Sequence, residues 1–273
     1  MGMMGCLGTT KVVRNASLPK DNTLNPLILE NYIHRVYVGL LGRKPQVKEV
    51  VEAKRMLGNL NESKRRAWIM RVKRDSAYFS TLATKMRGEY LEGVNRRELE
   101  IMRIDLTKLL ENEKQAIYFD QWQYQITQLQ KLEGLSELLH EQQISWTDMH
   151  KLCVDNPYYD KLNMGIDNFI LSCFQHFLYR YPSDYELSSA RNMMYGRPAI
   201  LFLKRGRNKR DFMKIFFESD AYLEGQIRAL YKRDLMREPL ASEMASCFRL
   251  FHNTGKLTDI QLNILASDEY LGK

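Results

Sequence analysis

The chain has 273 residues, 44% of them hydrophobic and 11% aromatic, and its 41 Lys and Arg against 33 Asp and Glu give a formal charge of +8. This length and apolar content can bury a real core and exclude a disordered chain, and no run of about 18 apolar residues exists to cross a bilayer as a helix. The basic excess suits nucleic acid, anionic lipid, an acidic protein or plain solubility, and selects none of them.

Residues 1–25 are polar and without period, and read as an extended arm. Within it Met3-Met4-Gly5-Cys6 resembles the end of a bacterial lipobox, in which a small residue precedes the cysteine that is lipidated. The charged and apolar regions of a signal peptide are missing ahead of it, so either the true start lies upstream or the match is chance. Myristoylation at Gly2 would want Ser or Thr where Cys6 stands. On the first reading Cys6 is a lipid anchor in the cell envelope or periplasm; on the second the protein is cytoplasmic.

After Asn25-Pro26 an amphipathic helix is predicted, with Leu29, Tyr32, Ile33, Val36, Tyr37, Leu40 and Leu41 on one face. Gly42 and Pro45 close it. A second helix over about 46–57 places Val47, Val50, Val51 and Met56 inward. A third, over about 62–74, has Trp68, Ile69 and Val72 on one side and a basic face around the rest. These form a first unit, 26–83. Residues 84–144 are rich in Glu, Lys, Gln and Leu and read as a bridge of two long helices, one with a stripe of Leu99, Met102, Leu106, Leu109 and Leu110, the other with Phe119, Trp122, Ile126 and Leu129. Residues 145–273 carry a second and a third unit. No stretch shows sustained strand alternation. The expected fold is all-α, of stacked helix–turn–helix repeats with a long two-helix insertion.

The units rest on a sentence written three times. Leu41-Gly42-Arg43-Lys44-Pro45 leads to Glu49-Val50, Leu178-Tyr179-Arg180-Tyr181-Pro182 to Glu186-Leu187, and Leu235-Met236-Arg237-Glu238-Pro239 to Glu243-Met244. Such self-similarity identifies a structural unit. Pro45, Pro182 and Pro239 cannot continue the first helix. Ser183 and Glu186 form a capping box, of which only Glu49 and Glu243 survive in the other copies. Arg43, Arg180 and Arg237 can meet the carbonyls at the end of the first helix or pair with the following Glu. A repeated ligand site is the sharper reading; a corner that turns one helix into the next is favoured, because every residue then has a capping or packing task. Closers end the units, at Asp75-Ser76-Ala77-Tyr78, Asp155-Asn156-Pro157-Tyr158, Glu218-Ser219-Asp220-Ala221-Tyr222 and Ala266-Ser267-Asp268-Glu269-Tyr270. Each supplies a short polar N-cap and an aromatic that can dock back.

The corner followed by a helix and a closer resembles bacterial all-helical modules of unknown function. Residues 29–82 look most like a domain of planctomycete envelope proteins associated with cytochromes. Residues 150–272 are similar to a helical repeat of secreted bacterial proteins and to phycobilisome linker domains. The resemblance implies an extracytoplasmic or assembly-organising module without established catalytic residues. The chain lacks the haem-attachment cysteines of the first group and the pigment-protein context of the linkers.

Chemistry is sparsely announced. His150 and Cys153 share a helical face but make two ligands, not a metal site. Cys173 and Cys247 lie on apolar faces as small hydrophobes. Clustered aromatics such as Phe174, Phe177, Phe212 and Phe216 read as core. No G-x-S-x-G, P-loop or H-E-x-x-H occurs, so no enzyme, cofactor or metal is expected. The sharpest signal is Lys204-Arg205-Gly206-Arg207-Asn208-Lys209-Arg210. Its glycine implies a loop projecting from the second unit, with Lys204, Arg205, Arg207, Lys209 and Arg210 as candidate partner contacts. The expectation is a non-catalytic scaffolding subunit of a larger bacterial assembly. The alternative is a nucleic-acid-binding protein that uses this loop and the basic face of 64–74.

Overall fold

The computed structural model describes residues 26–58, 61–112 and 118–272. The expected arm, and Cys6 with it, lies outside the described residues. The fold is all-α apart from one short hairpin.

Helix α1 (Pro26–Leu41) buries Tyr32, Ile33, Val36, Tyr37, Leu40 and Leu41. Helix α2 (Val47–Leu57) differs from expectation, because Ala53 and Leu57 face inward while Val47 and Val51 are exposed. Its register is set by Glu49, which must turn back to the corner, and that rotates the two valines outward. In α3 (Glu62–Val72) Trp68, Ile69 and Val72 are buried, and so is Arg65.

Helix α4 (Ser76–Tyr90) starts at Asp75, whose side chain caps the Ala77 N–H. The unit boundary expected at 83/84 therefore falls inside a helix. The bridge holds α5 (Arg96–Asn112), α6 (Phe119–Glu133) and α7 (Leu135–His140). Helices α5 and α6 pack on each other, and the outer positions Leu109 and Phe119 stay exposed while Leu99, Ile126 and Leu129 are buried.

The second half runs through α8 (Trp146–Val154), α9 (Pro157–Leu162), α10 (Ile166–Leu178), α11 (Asp184–Met194), α12 (Lys209–Phe217), α13 (Asp220–Leu235), α14 (Ala241–Thr254), α15 (Leu257–Ala266) and α16 (Asp268–Leu271). Phe174, Phe177, Phe212 and Phe216 are fully buried at its centre; burying a side chain of that kind contributes about 1.5–3 kcal/mol.

The ends of the described chain meet. Helix α3 packs on α15 and α1 on α16. Tyr32 Oη donates to the Leu265 carbonyl at 3.0 Å and Arg65 Nε to the Ala266 carbonyl at 2.6 Å, and Arg35 donates to the Tyr270 carbonyl. Arg65, 2% exposed, also pairs with Asp268. The bonds to Leu265 and Ala266 satisfy carbonyls that α15 leaves free at its end and the bond to Tyr270 does the same for α16, so the last closer is held by α1 and α3.

Candidate functional site

The three corners share one geometry. Arg43, Arg180 and Arg237 each grip Glu49, Glu186 and Glu243 by two nitrogens at 2.6–2.8 Å. The same glutamate accepts from the backbone N–H of Gln46, Ser183 or Leu240. Each guanidinium also lies over an aromatic six residues earlier, Tyr37, Phe174 or Tyr231, at 5.3–5.5 Å. The residue before each arginine is left-handed: Gly42, Tyr179 and Met236 have φ of 66°, 55° and 57°. Only the first copy uses glycine for this; the others accept about 1–2 kcal/mol of strain. The arginine hydrogen bonds hold the three carboxyls below the usual carboxylate range. Two nitrogens of each fork are thus directed within the corner, one of them also donating to the carbonyl of the next residue, and Pro45, Pro182 and Pro239 mark the turn itself.

The copies differ in one respect. Arg43 reaches Asp75 of its closer at 3.5 Å, and Arg237 grips Glu269 of its closer at 2.6 Å. Arg180 makes no second ion pair among the described residues, and Glu224 acts on it only from a distance. The closers cap through Asp75, Asn156, Ser219 and Ser267. The tyrosine three residues on is buried each time: Tyr78, Tyr159, Tyr222 and Tyr270. In the second closer this is Tyr159 and not Tyr158, since Asn156 is the cap.

The basic segment is not a loop. Strands β1 (Ala199–Leu201) and β2 (Lys204–Gly206) pair antiparallel, with Ile200 opposite Arg205 and Leu201 opposite Lys204. The turn between them is Phe202-Leu203, both left-handed at φ 47° and 64°, which is the twist a two-residue hairpin needs and which Asn-Gly usually supplies. Phe202 is anchored against Phe174 and Phe216. Leu203 is 98% exposed at the tip. Gly206 serves packing, because a Cβ there would lie 2.7 Å from Asp211 Cβ and 2.9 Å from Ile215 Cδ1. After it Asn208 caps α12, whose first turn carries Lys209 and Arg210.

The five cations split. Lys209 binds both oxygens of Asp160 at 2.7 and 2.9 Å and sits 4.5 Å from the Phe169 ring centre. Lys204 lies 3.6 Å from Glu218. Arg205, Arg207 and Arg210 are exposed and make no ion pair among the described residues. The exposed surface of the segment is therefore three arginines and two apolar side chains, Leu203 and Ile200. The run Ala199-Ile200-Leu201-Phe202-Leu203 ahead of the cations was the available signal for the hairpin.

The basic face of 64–74 is largely spent inside the fold. Arg65 holds Ala266 and Asp268, Arg66 holds Asn263, Arg71 pairs with Glu52, and Lys73 donates to Gln261 Oε1 at 3.0 Å. The His150 ring meets Tyr222 Oη at 2.8 Å through Nδ1, and burial pulls its pKa down to about 3. Cys153, Cys173 and Cys247 are buried free thiols, and burial pushes the first two up to about 12, far from nucleophilic. Among the described residues no group of three metal-ligating side chains forms, and no helix is long and apolar enough to cross a membrane. In comparisons with protein-family models, curated proteins and solved structures, nothing matches the chain.

Proposed function

We propose that the chain is a non-catalytic scaffolding and interaction subunit of a larger bacterial protein assembly, and that its partner contact is the hairpin β1–β2 with the first turn of α12. One observation carries this reading. Arg205, Arg207 and Arg210 are exposed without acidic partners beside a 98% exposed Leu203, on a turn held left-handed by two non-glycine residues. Exposed strain of that kind is a recurring mark of contact sites, and cations around an apolar tip suit an acidic protein surface with an apolar notch. The corners supply the rigidity such a contact needs. Envelope location through lipidated Cys6 belongs to the same proposal, and the intact mass of the native protein tests it: an unmodified Cys6 removes the anchor.

The experiment is crosslinking in native extracts, comparing the wild type with the triple variant Arg205→Glu, Arg207→Glu, Arg210→Glu. The expected result is loss of the wild type's crosslinked partners at an unchanged melting temperature. Retention of the same partners by the variant would refute the contact. The alternative, binding of nucleic acid by the same three arginines, predicts affinity for duplex DNA that falls with log salt at a slope of about −3.

A further inference from the structure

The shared corner geometry allows the helix after each corner to be compared place by place. Four and eight residues beyond the arginine, the first copy carries Val47 and Val51, the second Asp184 and Ser188, and the third Ala241 and Ala245. All six side chains are exposed, and in α2 this side of the helix faces away from the buried Ala53 and Leu57. The corner therefore forms with a polar, a small or a branched residue at these places. Neither packing nor helix propensity asks for valine there, yet Val47 is 81% exposed and Val51 63%.

The charge around the two valines is one-sided. Lys44, Lys48 and Arg55 are exposed and make no ion pair among the described residues. Both acids of α2 are engaged, Glu49 by Arg43 and Glu52 by Arg71. The places of the three cations are held by Tyr181, Tyr185 and Asn192 in the second copy and by Glu238, Ser242 and Arg249 in the third. The full cationic set, like the valine pair, thus belongs to the first corner alone.

An apolar strip collared by unpaired cations is complementary to an anionic partner with an apolar layer. Two features select a lipid surface over a protein. The face is the convex side of a helix, a ridge and not a cleft. Lysine is depleted at protein interfaces and valine is under-represented among the residues that dominate binding there. At a bilayer, long basic side chains reach the headgroups while the apolar strip enters the layer beneath.

We propose that the outer face of α2 docks on the surface of an anionic lipid bilayer. Val47 and Val51 enter the headgroup boundary, and Lys44, Lys48 and Arg55 meet lipid phosphates. Each cation near such a surface contributes about fivefold in affinity, and the part-inserted valines together about tenfold, which makes the contact peripheral and reversible. The corner presents the face, because Glu49 bound to Arg43 holds α2 in the rotation that turns the valines outward.

The test is flotation of the full chain with vesicles of phosphatidylcholine alone and of an equal mixture with phosphatidylglycerol, in a Cys6→Ser background so that no lipid chain contributes. Binding to the mixed vesicles only is expected, weakening as salt is raised. Val47→Ala with Val51→Ala, the residues of the third corner, should weaken it about tenfold at an unchanged melting temperature. Lys44→Ala, Lys48→Ala and Arg55→Ala together should weaken it about a hundredfold. Arg205→Ala, Arg207→Ala and Arg210→Ala together remove the same charge and should leave binding nearly unchanged. Equal losses from the two triple variants would reduce the effect to net charge and overturn the face, as would binding that both α2 variants leave untouched. Failure of the full chain to bind the mixed vesicles would also overturn it; loss of crosslinked proteins from the valine variant would then give the face to an acidic protein.

Discussion

Gly88 and Gly225 both sit inside helices, in α4 and α13, and replacing each with alanine should have opposite effects. Helix propensity alone favours alanine by about 1 kcal/mol at either position. At Gly88 a Cβ meets nothing within 4 Å, so that gain should appear nearly whole, as about 0.5–1 kcal/mol of added stability. At Gly225 the new Cβ falls on the Phe177 carbonyl oxygen and 2.9 Å from Leu178 Cα. Both are backbone atoms of α10 and cannot rotate aside, so α10 and α13 must separate. Overpacking of this kind costs about 1–3 kcal/mol. Separation also stretches the buried bond from Gln226 Nε2 to the Phe177 carbonyl, 3.0 Å long, worth about 1 kcal/mol. Set against the propensity gain, Gly225→Ala should lose about 2 kcal/mol, a fall of roughly 5 °C in melting temperature for a chain of this size. Urea denaturation of the two variants beside the wild type measures it, with the slope expected to stay constant. A Gly225→Ala protein as stable as Gly88→Ala would refute the close approach of α10 and α13.

The corners should rank by the acids their arginines hold. Arg237→Ala should cost about 1–2 kcal/mol, because it frees both Glu243 and Glu269, and Arg180→Ala about half of that, since only Glu186 is released. The pairs are partly exposed and take surface values. Lysine should rescue either poorly, having no fork for two oxygens; equal losses at the two positions, or none at either, would count against the lock, with thermal melts as the assay. His150 gives a pH signature. Its pKa is lowered to about 3 in the native state, so below about 6.5 the unfolded chain takes up a proton that the folded one refuses, and stability falls as pH drops from about 6.5 to about 3. Between pH 7 and 5 this residue should account for about 2 kcal/mol. Denaturation of His150→Gln at both pH values should show a pH dependence shallower by that amount, and an unaltered slope would contradict the buried neutral ring.

Much of the corner was legible before any coordinates. Leu-x-Arg-x-Pro-x-x-x-Glu is a local device: an arginine six residues from a glutamate, a proline between them and a cap at the next helix all act within one turn of chain. The third member, the aromatic six residues before each arginine, is equally local, but Tyr37, Phe174 and Tyr231 also fit a core stripe and spacing alone does not single them out. The basic segment departs from its expected loop for a different reason. Gly206 suggests a loop when taken alone, but its lack of a side chain is required by Asp211 and Ile215 of α12, which lie five and nine residues on and approach only after folding.

Sequence by itself determined the all-α class, the apolar faces of α1 and α3 and the four closer segments that hold an N-cap, and it offered the glutamate of each corner as one of two partners for its arginine. These depend on periodicity and on contacts a few residues apart, which the chain writes directly. Tertiary structure alone decided which cations remain free. Arg65 and Arg205 look alike in the sequence, yet Arg65 is buried against Ala266 and Asp268 some 200 residues away while Arg205 faces solvent on a strand. The free energy of a charge is set by its surroundings, and those surroundings are assembled from distant parts of the chain.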